Sequence, residues 1–219
     1  MVESSSDETL LIAVDGPAAS GKGTLSRRLA KHYGLNYLDT GSLYRAAAVV
    51  ALDANVDLMD GTAVGDIGRT LDLSKVDPDR LRMEGVGAAA SKIASMPELR
   101  EALLYYQREF AKTVPGAVLD GRDIGSVVCP DADVKLFVTA SLEERAKRRL
   151  AELSVTDPGL TYCEVLAQIT LRDERDSLRT AAPLTRAPDA HLLDTTNLDI
   201  EAAMDAAVQF VDQAIAAKN

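Results

Sequence analysis

LLIAVDGPAASGKGT, residues 10–24, is the stretch on which the fold turns. Five apolar residues, Leu10 to Val14, end abruptly at Asp15 and Gly16. Pro17, Ala18, Ala19, Ser20, Gly21, Lys22, Gly23 and Thr24 follow, and then an amphipathic segment begins. Strand, glycine loop, lysine and helix in that order are the context that a phosphate-binding loop requires. Glycines let the backbone curl so that successive N–H groups point inward at an anion. The helix behind them offers free N–H groups and its positive dipole end to the same anion. Lys22 adds a full charge near the outer phosphates. An ordinary glycine turn that carries a lysine is the plainer alternative, and the flanking strand and helix argue against it. The loop departs from its common form at one place. Gly23 stands where Ser or Thr normally follows the lysine and binds magnesium, and Thr24 comes one position later. Direct ligation of magnesium by Thr24 is therefore an open question.

Outward from this loop, residues 22–33 read as a helix with Leu25, Leu29 and Tyr33 on one face, closed by Gly34. NYLD, residues 36–39, is a short strand, and Thr40 and Gly41 turn the chain into a helix, SLYRAAAVVALDA. Residues 55–83 hold Gly61, Gly65, Gly68 and Pro78 and read as short helical pieces and loops. An Ala-rich segment over 85–95 precedes a helix opened by Pro97. AVLD (117–120) and the β-branched VKLFVT (134–139) are strands, separated by the loop GRDIGSVVCPDA. Ser141 caps a helix, residues 154–160 form a loop, and a highly charged helix runs from Tyr162 to Arg179. HLLDT (191–195) is the last strand, and Asp199 caps the last helix. Five short apolar strands alternating with helices predict an α/β fold, a five-stranded parallel sheet flanked by helices. Ligands bind at the carboxyl ends of such strands. The glycine loop, Asp39–Thr40 and Asp120–Gly121–Arg122–Asp123 all fall there. No repeat or Gly/Ser-rich linker divides the chain, so residues 1–219 are expected to form a single domain.

Composition narrows the chemistry. Of 219 residues 47% are hydrophobic and none is Trp, so the core must be built from Ala, Leu, Val and Ile. A net charge of −10 argues against a nucleic-acid polymer as partner but not against a nucleotide, which needs only a local arginine cluster. Cys129 and Cys163 stand apart with no metal-like spacing, which suits a reducing cytoplasm. His32 is expected on the surface and His191 in a structural role. No run is long enough for a membrane helix, and the acidic MVESSSDET start reads as a frayed tail. A monomer is expected.

Arginines supply the second half of the pattern. Arg45 follows Thr40 by five residues, Arg100 lies on the Pro97 helix, and Arg122 follows the third strand. Arg172, Arg175 and Arg179 recur at spacings of three and four, so they share a helix face. A planar guanidinium suits bidentate binding of phosphate oxygens; a solvated face laced with acids is the alternative for any one of them. Phosphoryl transfer calls for such a set, because catalysis there is positioning and charge stabilisation. A kinase whose acceptor already carries a phosphate must neutralise that group too.

The GKGT form of the loop resembles nucleoside monophosphate kinases, and longer motifs sharpen the likeness. GPAASGKGTLSRRLA, LDTGSLYRA, LDGRDIGSVVCPDADVKLFVTAS, ERAKRRLAEL, RDERDSLRTAAPL and LLDTTNLDIE together resemble the bacterial cytidylate kinases from about residue 10 to the end. The resemblance implies a P-loop NTPase fold with ATP and magnesium as cofactors and CMP or dCMP as acceptor. Its core would be residues 10–39, 114–149 and 180–219, with a monophosphate-binding region over about 40–113 and a lid over about 150–171. It implies that residues 16–24, Arg145 and Arg149 bind ATP. It also implies that Thr40, Arg45, Ser91, Arg100, Arg122, Asp123, Arg172 and Asp176 line the CMP site, and that Arg179 reaches the reacting phosphates. Lys22, Arg122 and Arg179 are thus the expected catalytic cations.

The base preference has a chemical logic of its own. Cytosine presents an amino donor beside two acceptors, so a carboxylate such as Asp123 suits the donor and an arginine such as Arg100 the acceptors. Uracil turns a carbonyl toward the carboxylate. A structural ion pair between the two residues is the alternative. One departure bears on this choice. Better-known members carry a longer, strand-like insert ahead of the Ser91 segment, whereas here LRMEGVGAAASKIAS runs almost directly between helical pieces. The preference among CMP, dCMP and UMP is therefore less fixed than the phosphotransfer.

Overall fold

The apolar runs pair as a parallel sheet because both of their faces are covered. In the computed structural model, which describes residues 9–83, 85–155 and 157–218, the strands are Leu10–Asp15 (β1), Asn36–Asp39 (β2), Gly116–Gly121 (β3), Val134–Thr139 (β4) and His191–Asp194 (β5). Their order is β2-β3-β1-β4-β5, and every pairing is parallel. Residues 1–8 of the expected nine-residue frayed tail and Thr156 of the expected lid lie outside the described residues.

Eight helices are described: Lys22–Tyr33 (α1), Thr40–Asp53 (α2), Gly61–Thr70 (α3), Val86–Ile93 (α4), Pro97–Ala111 (α5), Leu142–Leu153 (α6), Tyr162–Leu178 (α7) and Ile200–Lys218 (α8). Alternate strand residues point to opposite faces. Ala13 and Leu119 pack on Leu43, Ala47, Ile93, Leu99 and Leu103 of α2, α4 and α5. Ile12, Val14 and Val118 pack on Leu25, Leu29, Ala207 and Val211 of α1 and α8. A third, smaller cluster of Ala146, Val165 and Ile169 joins α6 to α7 away from the sheet.

Register levels the carboxyl ends of the strands. Asp15 lies opposite Gly121, and Asp39 lies opposite Asp120. The three polar corners expected from the sequence therefore meet at one edge. Three local features bear on how the site is built. Helix α2 starts at Thr40, because Asp39 caps it by accepting from the Ser42 N–H. Helix α3 runs through Gly61, Gly65 and Gly68. The loop after β3 contains a π-helical turn, Ile124–Val128. Within 40–113, every regular element among the described residues is helical.

Candidate active site

The loop after β1 is shaped by what its backbone approaches. A Cβ at Gly16 would lie 2.0 Å from the Val138 carbonyl oxygen, so no larger residue fits there. Ala19 has φ 58 and Gly21 φ 86, and this left-handed backbone curls the loop ahead of α1. No side chain caps the start of α1, so its first N–H groups are open to an anion. The Ser20 hydroxyl is buried and has no partner among the described residues. Pro17 and Ala18 are buried behind the loop. Asp15 locks it to the next corner: its carboxylate accepts the N–H groups of Ile124 and Gly125, each at 2.8 Å. Burial raises its pKa to about 6 despite those two bonds.

Lys22 stands among charges. Burial, with help from Arg122, lowers its pKa to about 7, while Asp120 opposes the shift. Asp120 is itself buried, and burial raises its pKa while Lys22 lowers it. Its Oδ2 accepts from the Tyr37 hydroxyl at 2.8 Å. A Cβ at Gly23 would lie 3.2 Å from that same oxygen. Glycine at position 23 thus leaves room for a carboxylate where the common loop carries a hydroxyl. Thr24, by contrast, borders a cavity of ≈ 430 Å³ with Ala19, Ser20, Gly21, Arg148 and Thr195.

Two arginine clusters face this loop. In one, Arg122 Nε donates to Asp176 Oδ2 at 2.8 Å and Arg172 Nε approaches the same oxygen at 4.0 Å. Burial pushes the pKa of Asp176 up, and the guanidiniums of Arg122 and Arg172 more than reverse it, leaving a net fall. Arg172 is lowered to about 10 by burial and by Arg122, with Arg45 and Arg149 contributing. Its Nε is buried without a hydrogen-bond partner among the described residues. Arg172 thus feels the positive charge of three other arginines and lacks a partner at Nε, and polyanionic phosphate is a ligand that suits it. Arg45 is anchored by Asp39 at 2.5 Å.

In the second cluster, Arg100 donates to Asp123 Oδ2, and Arg179 Nη2 approaches Asp123 Oδ1 at 3.5 Å. Arg100 also lies 5.9 Å from the centroid of the Tyr44 ring. Burial raises the pKa of Asp123 although both guanidiniums oppose the shift. Ser91 is buried nearby on α4 and accepts from Arg175 Nη1 at 3.0 Å.

Most of the expected site residues line the loop and the two clusters, and four of them, Arg179, Arg145, Thr40 and Arg149, have partners within the protein. Arg179 sits with Asp123, donates from Nε to the Ala182 carbonyl at 2.6 Å, and also interacts electrostatically with Asp176 of the first cluster. Arg145 is buried and braces the loop: it donates to the carbonyls of Ala140 (3.0 Å) and Ala18 (3.2 Å) and pairs with Asp173 (2.7 Å). The Thr40 hydroxyl donates to the Asp120 carbonyl at 2.7 Å, which ties the start of α2 to β3. Arg149 is exposed and paired with Glu152 at 2.9 Å. The arginine beside the loop cavity is instead Arg148, which donates to the Thr195 hydroxyl (2.9 Å) and carbonyl (2.7 Å). Helix periodicity alone does not single it out among three arginines in five residues; only the position of β5 does. His191 stacks on Phe210, the structural role expected of it.

A parallel sheet, a glycine loop with a half-buried lysine and a facing wall of arginines define a P-loop phosphotransferase. The chain belongs to the cytidylate kinase family, whose model matches residues 12–213. It is 53% identical to a cytidylate kinase of Rhodopseudomonas palustris, over 93% of this chain and 96% of that protein. It is 56% identical to one of Azorhizobium caulinodans, over 94% of this chain and 99% of that protein. Since the matches span nearly the whole of these relatives, the short region before Ser91 is not a gap peculiar to this chain. A solved structure of an uncharacterised protein from Eubacterium ventriosum shares the fold, with TM-score 0.55 at 16% identity, covering 93% of this chain and 99% of that one.

Proposed function

We propose that this chain transfers the γ-phosphate of ATP to CMP or dCMP, giving ADP and CDP or dCDP. The observation that carries the reading is the buried Arg100–Asp123 pair set beside the Lys22–Arg122–Arg172 cations. Asp123 has a carboxylate for the cytosine amino group, and Arg100 has donors left for the ring acceptors. Ser91, and Arg179 at the same end, complete the base pocket; Asp176 serves the ribose, and Arg45, Arg122 and Arg172 serve the acceptor phosphate.

In the reaction, an oxygen of the acceptor phosphate attacks the γ-phosphorus in line as the bond to the ADP oxygen breaks. No general base is needed, because that phosphate is already anionic near neutral pH. Lys22, Arg122 and Arg172 offset the charge that develops on the transferred oxygens. Asp120 and Asp39 are hard oxygen donors beside the loop, and they fit magnesium held mainly by phosphates and water. The metal, when bound, neutralises phosphate charge. Thr24 lies at the cavity edge, a place that suits contact with the donor nucleotide more than with the metal. The 150–171 segment acts as a lid that excludes water, which would otherwise consume ATP. The enzyme works as a cytoplasmic monomer, and no helix among the described residues is long and apolar enough to cross a membrane.

An ADP-release assay over CMP, dCMP, UMP, AMP and GMP tests this. Fastest turnover is expected with CMP and dCMP. Best turnover with AMP and none with CMP would assign the chain to another monophosphate kinase activity. Tight nucleotide binding without diphosphate product would make it a binding module.

A further inference from the structure

Asp15 ends β1 and leads directly into the glycine loop, yet it has no part in the reaction steps proposed so far. Its backbone pairs in register with Gly121, the last rung of the ladder between β1 and β3. Its side chain reaches past that rung. Oδ1 accepts from the Ile124 N–H and Oδ2 from the Gly125 N–H, each at 2.8 Å. Between the two attachments lie only Arg122 and Asp123. One residue thus clamps both ends of the span that carries a guanidinium and a carboxylate of the acceptor site.

On its other side, Asp15 is bonded to the donor loop. Gly16 follows it and is held against β4, since a Cβ there would lie 2.0 Å from the Val138 carbonyl oxygen. The place of Arg122 and Asp123 relative to the phosphate cradle is therefore set through a single side chain. A carboxylate suits this task because it offers two acceptors on one carbon, whereas an amide offers one acceptor and one donor. It is buried, where an ionised group is costly unless it is hydrogen-bonded. Burial raises its pKa to about 6 and Asp123 pushes the same way, while the two N–H groups and Arg122 oppose the shift.

We propose that Asp15 is a positioning residue for phosphoryl transfer: through its bonds to the Ile124 and Gly125 N–H groups it fixes the separation of the acceptor loop from the donor loop, so that a phosphate held by Arg122 stands in line with the one held by the glycine loop. The inference rests on the reading of these loops as acceptor and donor sites, and not on which base the acceptor carries. Each nucleotide is bound chiefly by one side, whereas transfer needs both sides at the right distance. A misplacement of about 1 Å can lower a rate about a hundredfold. Loss of the clamp is thus expected in kcat and not in binding.

Asp15→Asn keeps the shape of the side chain but turns an NH2 group toward one of the two N–H groups, so that two donors oppose each other and the loop must shift. Its kcat with ATP and CMP is expected to fall at least about tenfold. Both KM values, and the calorimetric Kd of CMP and of a non-hydrolysable ATP analogue, each measured alone, are expected to stay within about twofold of wild type. A wild-type kcat overturns the proposal. So does a fall matched by weaker binding of either nucleotide, since Asp15 would then shape one site instead of relating two. The wild-type protein supplies a measurement that depends on no variant folding. A clamp that is set before nucleotides arrive makes the Ile124 and Gly125 amides exchange with deuterium as slowly as those of β1 and β3 in the free enzyme. Exchange as fast as that of an exposed loop overturns the proposal whatever the variant does. Should another nucleoside monophosphate prove the better acceptor, the same measurements are made with it and decide equally. A wild-type protein that makes no diphosphate from any of them overturns the two-site reading and this proposal with it, so the two failures are told apart.

Discussion

Position 23 shows how a single absent side chain sets the character of the loop. The Cβ of any other residue would stand 3.2 Å from Asp120 Oδ2, an oxygen already held by the Tyr37 hydroxyl at 2.8 Å. A threonine would restore the commoner loop sequence and still push on this carboxylate. Gly23→Thr is expected to lower kcat about tenfold or more, since displacing a group at the phosphates by a fraction of an ångström is costly, while the far-UV circular dichroism stays unchanged. A wild-type rate would show that Asp120 yields freely and has no part at the phosphates. Lys22 permits a second test. Its pKa in the free enzyme is lowered to about 7, first by burial and then by Arg122. Bound polyphosphate favours the charged form and raises that pKa. At pH 8, then, ATP binding takes up a proton, and affinity falls as pH climbs from 7 to 9. Calorimetry of ATP binding in buffers of different ionisation enthalpy measures the uptake. It is expected to approach one proton and to vanish in Lys22→Met; no uptake in the wild-type protein would mean that Lys22 is already charged without nucleotide.

Among the elements, α3 is one of the short helical pieces expected over 55–83, and the sequence alone does not explain its three glycines. They lie on its face against α5. A Cβ at Gly68 would come within 2.9 Å of the Ala102 Cβ and 2.7 Å of Leu99 Cδ1, and one at Gly65 within 2.8 Å of the Glu98 Cβ. The two helix backbones approach too closely for any side chain between them. Leu99 can rotate away, but the methyl of Ala102 cannot. Gly68→Ala is therefore expected to destabilise the fold by about 1–3 kcal/mol through overpacking, read by denaturant unfolding, with the KM for ATP unchanged; equal or greater stability would mean that α3 shifts outward at no cost. Elements whose ends are set locally were legible: Gly21 and Gly34 bound α1, Ser141 caps α6, and β-branched residues mark β4. What was not legible is set by distant parts of the chain. The glycine tolerance of α3 comes from α5. The place of Arg148 beside the loop cavity comes from Thr195, which follows β5 and also donates to the Ser20 carbonyl. The placement of Arg179 comes from Asp123, across the sequence on the β3 loop. Motif order located the site, while the partner of each charged group depended on tertiary contacts that spacing along one helix does not encode.

At the scale of the whole molecule, the packing divides unequally. Two large clusters clamp the sheet from either face, whereas the contact between α6 and α7 is served by its own small cluster of Ala146, Val165 and Ile169. The near end of α6 is fixed to the sheet edge by Arg145 on Ala18 and Ala140 and by Arg148 on Thr195. The far end of α7 is fixed by Asp176 on Arg122 and by Arg175 on Ser91. Between these anchors, residues 150–155 and 157–171 hold to the rest chiefly through the small cluster, and local opening is easiest where buried apolar contacts are fewest. Backbone amides of 150–171 are thus expected to exchange with deuterium far faster than those of β1, β3 and β4 in the free enzyme. The two anchors point to different ligands, since the first lies beside the glycine loop and the second within the acceptor cluster. A non-hydrolysable ATP analogue or CMP alone is expected to protect one end of the segment. Both together should slow exchange across all of it by at least about tenfold, because closure requires phosphate charge on both sides of the arginine wall. Equal protection by the ATP analogue alone would mean that the segment closes on the donor nucleotide only, and that the acceptor cluster has no part in shutting water out.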